Sequence, residues 1–345
     1  MKMKKNNKKV ILKFLIFAFA FIYAVNVYGQ SKTGTTVGQF LKIEPSARVS
    51  AIGNAGAALQ GEAVAAFFNP ASLGRLENSD FQFTHNNWIA DINYNYAIGA
   101  IKTGSLGTFS VQVTSLNSGE IDVRTVEQPL GTGERYTVTN FALGVGYGIM
   151  LTDRVSVGMQ ANYIQESIWH SDLTAFGFNF GVQYEVAKGG LLLGASVSNF
   201  GPRAGYNGRD LYINYDFDSK KNGDNDHLPA ELRTDSYSLP TIFRVGLAYP
   251  VKIGESNSVL IAVEATHPND NYESVNIGAE WTLFNVFSIR GGYRDLFLND
   301  SEGGFMLGAG AKVEVNSAYN IRFDYAWGDY GRLEQAHRFT VGIGF

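Results

Sequence analysis

From Ser79 onward the chain repeats one pattern, in which apolar side chains stand at every second position over segments of roughly ten residues separated by polar breaks. Alternation with a period of two puts one apolar face on a strand. About fourteen such segments can be placed, at 80–88, 93–102, 106–116, 137–149, 154–168, 173–186, 190–199, 240–250, 257–267, 272–282, 285–294, 304–315, 318–327 and 335–345. The last is the clearest: Phe339, Val341, Ile343 and Phe345 share one face, and an aromatic residue closes the segment. Hydrophobic residues make up 45% of the chain. The mean hydropathy is nonetheless only -0.08, so those residues are dispersed rather than gathered into spans. Lipid requires every backbone polar group to be satisfied within the protein, which leaves a closed barrel as the alternative to membrane helices. The expected fold is all-β, an antiparallel transmembrane β-barrel of about fourteen strands, an even number as in single-chain bacterial barrels.

The two ends of the chain agree with this. Lys2, Lys4, Lys5, Lys8, Lys9 and Lys13 precede an apolar run over residues 14–25, followed by Gly29 and Gln30. This pattern reads as a secretory signal peptide over residues 1–29, and the run is too short for a membrane anchor of about 20 residues. At the other end, Phe339, Val341, Ile343 and Phe345 resemble the signal by which barrel-insertion machinery recognises outer-membrane proteins. The chain has no cysteine, so an exported fold of this size uses neither disulfides nor thiolate metal sites. A net charge of -4 gives no electrostatic footprint for nucleic acid.

Outer-membrane barrels alternate short turns on the periplasmic side with longer extracellular loops. With the N-terminus on the periplasmic side, the connections at 102–105, 150–154, 187–190, 251–257, 283–285 and 316–317 should be the short ones, and all are. The two longest, 117–136 and 200–239, fall on the opposite, extracellular parity. Both termini are therefore expected in the periplasm. Within 137–149, Phe141, Leu143, Val145, Tyr147 and Ile149 oppose Ala142, Gly144, Gly146 and Gly148, so the first set should face lipid. In the second half the inward face turns ionic, with Arg244, Glu264, Glu280, Arg290, Lys312, Glu314, Arg322, Asp324 and Arg338. A selective pore calls for rings of one sign; near balance of both signs points instead to pairs bracing the wall. Tyr94, Tyr96, Tyr147, Tyr163, Trp169, Trp281, Tyr293, Tyr325 and Trp327 lie near strand ends, where interfacial girdles form.

Residues 30–78 lack strand periodicity. Small residues dominate 46–59 and 63–68, and the second run stops at Asn69-Pro70-Ala71, where Pro70 removes a donor and restricts Asn69. Small residues allow tight packing inside a lumen, so this segment is expected to be a plug or hatch ahead of a barrel over 79–345, with Gly53, Gly56, Asn69, Pro70 and Ala71 as its motif. Here the chain resembles a known group. Ala47-Arg48, Gly53-Asn54-Ala55-Gly56-Ala57-Ala58 and Asn69-Pro70-Ala71-Ser72-Leu73 are similar to the N-terminal signature of FadL-like fourteen-stranded barrels, and more closely of the PorV/PorQ family of the type IX secretion system. Ser198-Asn199-Phe200-Gly201-Pro202, Leu228-Pro229-Ala230 and the stretch from Ser238 to Leu247 look like the same family. The resemblance implies a Bacteroidetes-type outer-membrane protein, with membrane lipid, the type IX translocon, the surface attachment complex and cargo bearing C-terminal secretion domains as partners.

The loop 200–239 is the expected binding element, since long loops on rigid scaffolds carry function. Its candidate residues are Tyr206, Tyr212, Tyr215, Asp216, Asp218, Asp224 and Asp226. The acidic run has the oxygen-rich look of a calcium loop but not the twelve-residue spacing, so no metal is assigned. The five histidines, His85, His170, His227, His267 and His337, show no metal-ligand or nucleophile pattern, and Gly144, Gly146 and Gly148 lie in a strand with no helix after it. Neither an enzymatic site nor a cofactor is expected. The sequence thus points to a non-enzymatic carrier or adaptor of type IX secretion that binds cargo through extracellular loops. The alternative is a FadL-like transporter of hydrophobic small molecules, against which the ionic inward faces count.

Overall fold

The computed structural model describes residues 32–218, 220–221, 227–298, 301–315 and 319–345. Residues 1–29, Asp224, Asp226 and the turn at 316–317 lie outside the described residues. Fourteen strands form the wall: β1 Asp80–Asn87, β2 Asn93–Lys102, β3 Thr108–Asp122, β4 Arg135–Met150, β5 Val155–Ile168, β6 Ser171–Glu185, β7 Leu192–Phe200, β8 Ile242–Ile253, β9 Asn257–Pro268, β10 Ser274–Leu283, β11 Phe287–Leu296, β12 Phe305–Val315, β13 Tyr319–Asp329 and β14 Gln335–Gly344. Each pairs antiparallel with its chain neighbours, and β14 returns to β1 from Asp80↔Gly344 to Asn87↔His337. The sheet is closed, so no strand edge is left open.

The faces are inverted relative to a water-soluble sheet. On β1, Asp80, Gln82, Thr84 and Asn86 are buried while Phe81 and Phe83 are exposed. On β4, Leu143 and Val145 are exposed against buried Ala142, Gly144, Gly146 and Gly148. Exposed apolar side chains all round the wall form the surface that lipid covers. Tyr94 and Tyr96 depart from the expected girdle: both are buried inside, and the Tyr96 hydroxyl donates to Gln112 Oε1 at 2.6 Å.

The connection expected at 117–136 is shorter. After an irregularity between Asn117 and Glu120, β3 and β4 pair on to Asp122↔Arg135, leaving 123–134 as the loop. These outer rungs stand clear of the apolar band, so neither face needs to be apolar and the period-two signal disappears. Within 200–239, Asn207–Gly208 adds to β6, and Tyr212–Tyr215 pairs with Leu228–Glu231.

The segment before β1 fills the interior. It comprises one short helix, α1 Ala47–Ala51, and three 3-10 turns, Gln39–Lys42, Ala63–Phe67 and Pro70–Arg75. Ser46 caps α1 by accepting from Val49 N, and Asn69 caps the last turn by accepting from Ala71 N with Pro70 at the first position. Inward glycines make room: a Cβ on Gly194 of β7 would sit 2.0 Å from Ala57 O. Gly53, at φ 71°, turns the plug against β10 and β11, with space for no side chain.

The direction of this segment departs from expectation. Thr36 bridges Ser238 in the long loop, whereas Arg75 donates to Arg154 O in the short turn after β4. The plug therefore starts at the long-loop end and descends to β1. Phe345 lies on the short-turn side, its N–H on Ser79 O, whereas the first described residues of the N-terminal segment lie at the long-loop end. Strand parity could not reveal this, because it counts only strands.

Val145 lies mid-strand on the exposed face of β4. Val145→Arg is expected to lower unfolding stability in lipid by about 2–4 kcal/mol, measured by denaturant titration in vesicles; an unchanged midpoint would mean that this face does not meet hydrocarbon.

Candidate functional site

The plug backbone is irregular, so its N–H and C=O groups need partners other than a sheet ladder. The wall supplies them with side chains. Ala63 N donates to Asp80 and Val64 N to Gln82, both at 2.7 Å. Ala57 N donates to Glu264 Oε2 at 2.6 Å, Ala47 N to Thr340 Oγ1 at 3.1 Å, and Gly38 N to Glu166 Oε2 at 3.1 Å. In the other sense, Gln183 donates to Ala57 O and Leu59 O, and Ser196 to Phe68 O. Asn69 ties the plug to itself and to the wall, donating to Ala57 O at 2.8 Å and to Val182 O of β6 at 3.1 Å.

Charges complete the attachment. Arg48 on α1 forks onto Glu280, Nε to Oε2 at 2.8 Å and Nη2 to Oε1 at 2.7 Å, and its Nη1 donates to Glu62 Oε1 at 2.9 Å. Arg290 lies between Glu280 and Asp324, with both contacts at 2.5 Å. Arg322 pairs with Asp80. A second cluster joins Arg338, Arg294, Tyr330 and Glu44: both guanidinium groups donate to the Tyr330 hydroxyl, at 2.7 and 3.0 Å. Arg338 also stacks 5.1 Å over the Trp88 ring. A third pairs Arg244 with Glu264 at 3.6 Å and with Ser198 Oγ at 2.8 Å. Opposite signs are joined throughout, so the lumen carries no single-sign ring among the described residues. Lys312 and Glu314 lie apart from these clusters, exposed at the short-turn end of β12 and 3.7 Å from each other.

Sequence reasoning missed the plug-side partners Arg48, Glu62 and Glu44, and the wall residues Asp80, Glu166 and Arg294. Asp80 and Arg294 carried a signal, the same inward parity as Gln82 and Arg290; the plug residues carried none, because an irregular segment has no period.

At the long-loop end, the first turn of the plug is strapped down. The Asp270 carboxylate, in the connection 269–273, accepts from Thr36 Oγ1 and Gln39 Nε2, each at 2.8 Å, and from Lys42 Nζ at 3.1 Å. Burial alone would raise its pKa, but the bonds from Gln39 and Thr36 and the Lys42 ammonium outweigh it and hold Asp270 below its usual value of 3.8. Tyr206 joins the same region, donating to Glu166 Oε2 at 2.9 Å, and burial together with that carboxylate raises its hydroxyl pKa. Tyr212 and Tyr215 are exposed on the loop hairpin. Asp216 accepts from Asp218 N, and Asp218 pairs with Lys221 at 3.4 Å. Phe339, Val341, Ile343 and Phe345 are exposed on the outer face, on and just beyond the strand that closes the ring.

This architecture recurs in solved structures. The toluene transporter TodX of Pseudomonas putida matches with a TM-score of 0.52 at 12% identity, over 88% of this chain and 98% of that one. The toluene transporter TbuX of Ralstonia pickettii matches at 0.50 and 11% identity, over 86% of this chain and 96% of that one. CymD, a monoaromatic hydrocarbon channel, gives 0.52 and 10%, over 87% and 96%. No protein-family model and no curated protein matches the chain. At such identities the likeness is one of fold: the chain shares with these proteins a closed, antiparallel barrel, here of fourteen strands.

Arg48→Ala leaves Glu62 without its ion-pair partner and Glu280 with Arg290 alone, and is expected to cost about 3–5 kcal/mol. The check is the denaturant midpoint, with Arg48→Met/Glu280→Gln recovering part of the loss; equal midpoints for Arg48→Ala and wild type would remove the network from the account. For Asp270, a pKa lowered by folding means that its contribution is complete above about pH 4 and is lost as pH falls through the lowered value. Hydrogen exchange of residues 33–42, corrected for intrinsic rates, should stay slow down to about pH 4 and quicken below it. Asp270→Asn should already exchange quickly at neutral pH; protection equal to wild type would show that the strap does not depend on this carboxylate.

Proposed function

We propose that this barrel acts as a closed, non-enzymatic scaffold whose long-loop face binds protein: a component of type IX secretion that takes cargo C-terminal secretion domains on its loops and links the translocon to the surface attachment complex. The observation that carries this reading is the filled lumen. The plug backbone is bonded to wall side chains at one position after another, and Arg48 ties it to a buried ion chain. Meanwhile Tyr212, Tyr215, Phe217 and Leu232 stand exposed on the loop opposite the short turns. The secretion role itself rests on the resemblance of the plug and loop motifs to the PorV/PorQ family.

A second reading is favoured by the comparisons, which do not bear on secretion. TodX, TbuX and CymD share the fold over most of both chains and are described as toluene transporters and a monoaromatic hydrocarbon channel. On this reading the chain admits small hydrophobic molecules past a movable plug. The polar wall counts against it, since Gln112, Asn162, Asn179, Ser198 and Arg244 line the space beside Leu41 and Phe67 where an apolar pocket would be needed.

Mild-detergent affinity purification of the tagged protein from its native membrane, with mass spectrometry of co-purifying proteins and lipophilic compounds, separates the two. Recovery of a large translocon barrel or of cargo with C-terminal secretion domains is expected. Their reproducible absence, with a bound hydrocarbon or lipid instead, would overturn the secretion reading in favour of transport.

A further inference from the structure

Between the upper part of the plug and strands β8 to β11 lies a cavity of about 150 Å³. A cavity of that volume holds a molecule the size of benzene, but the lining is not apolar. Asn54 projects into it from the plug at 4% exposure, and neither its Oδ1 nor its Nδ2 has a hydrogen-bond partner. Its backbone is left-handed, at φ 67°, a conformation that asparagine tolerates better than most residues.

Two carboxylates share the cavity, and each keeps one oxygen unbonded. Glu264, 1% exposed, gives Oε2 to Ala57 N, while its Oε1 stands 3.6 Å from Arg244 Nε, beyond hydrogen-bonding distance. Glu44 Oε2 lies 3.8 Å from both Arg294 Nη1 and Arg338 Nη2 and has no hydrogen bond. Buried acceptors of this kind are normally satisfied by a donor. The unmet atoms are thus three acceptors and one amide donor around a single space. Formal charge on the lining is balanced, with Lys42, Arg244 and Arg294 against Glu44, Glu264 and Asp295. A lining of that balance favours a ligand with both signs over an ion of one sign.

We propose that this cavity binds a small zwitterion of amino-acid size, whose ammonium donates to Glu44, Glu264 and Asn54 Oδ1 and whose carboxylate meets Arg294 and Asn54 Nδ2. The site is independent of both readings of function given above. Apolar ligands of the same volume are excluded because they leave all four atoms unpaired.

The test is equilibrium dialysis of isotope-labelled glycine and alanine against the full-length protein purified in detergent, with toluene, methylammonium and acetate as comparison probes. Saturable binding of a zwitterion is expected, weaker binding of the two half-ligands, and none of toluene. Asn54→Gly keeps the left-handed backbone while removing the amide, and Glu264→Gln removes a charge without changing shape; each should weaken binding by about ten- to a hundredfold. Heat-modifiable gel mobility checks that both variants remain folded barrels, and either alone suffices if the other misfolds. No saturable binding of glycine or alanine, tighter binding of toluene, or unchanged affinity in a folded variant would overturn the proposal and leave the cavity to water.

Discussion

A peptide group facing hydrocarbon has nothing to bond with except another peptide group, and the rest of this molecule follows from that constraint. It forces the sheet to close, so β14 must meet β1, and the register of that seam runs unbroken from Asp80↔Gly344 to Asn87↔His337. It also fixes the outward face, because only apolar side chains can stand where Phe81, Val145 and Phe339 stand. Closure then creates a second demand. The interior is shielded from both lipid and bulk water, and something must fill it.

The filling here is an irregular chain, which brings its own unpaired peptide groups. Wall side chains answer them: Asp80, Gln82, Glu166, Glu264 and Thr340 accept plug N–H groups, and Gln183 and Ser196 donate to plug carbonyls. Once carboxylates are used as acceptors at such depth, their charge must be neutralised, since an uncompensated buried charge is strongly unfavourable. Arg322 beside Asp80 and Arg244 beside Glu264 meet that need. The ionic lumen is thus a consequence of carrying a plug without regular structure, and it gives no reason to infer an ion pathway.

Most of the wall was legible in the sequence because a strand between lipid and a polar lumen must alternate. Where that contrast vanishes, so did the signal. The outer rungs of β3 and β4, through Glu120 and Asp122, have water on both faces and read as loop. Lys312 and Glu314 have inward parity yet lie exposed at the strand end, because parity reports direction and not depth. Pro70 opens a 3-10 turn capped by Asn69, a local feature that a sequence displays, but the reach of Asn69 to Val182 O across 113 positions has no local trace. The strap of Thr36, Gln39 and Lys42 on Asp270 was equally invisible, and with it the fact that the plug begins at the long-loop end.

The central claim is that the plug is a fixed part of the wall and not a loosely held occupant. Planar-bilayer recording of the purified full-length protein at neutral pH and moderate salt addresses it most directly. A fixed plug should give electrically silent membranes, or brief events far below the conductance of an empty barrel of this strand number. A steady conductance of the size an unobstructed fourteen-stranded lumen allows, under conditions where the barrel stays folded, would contradict it.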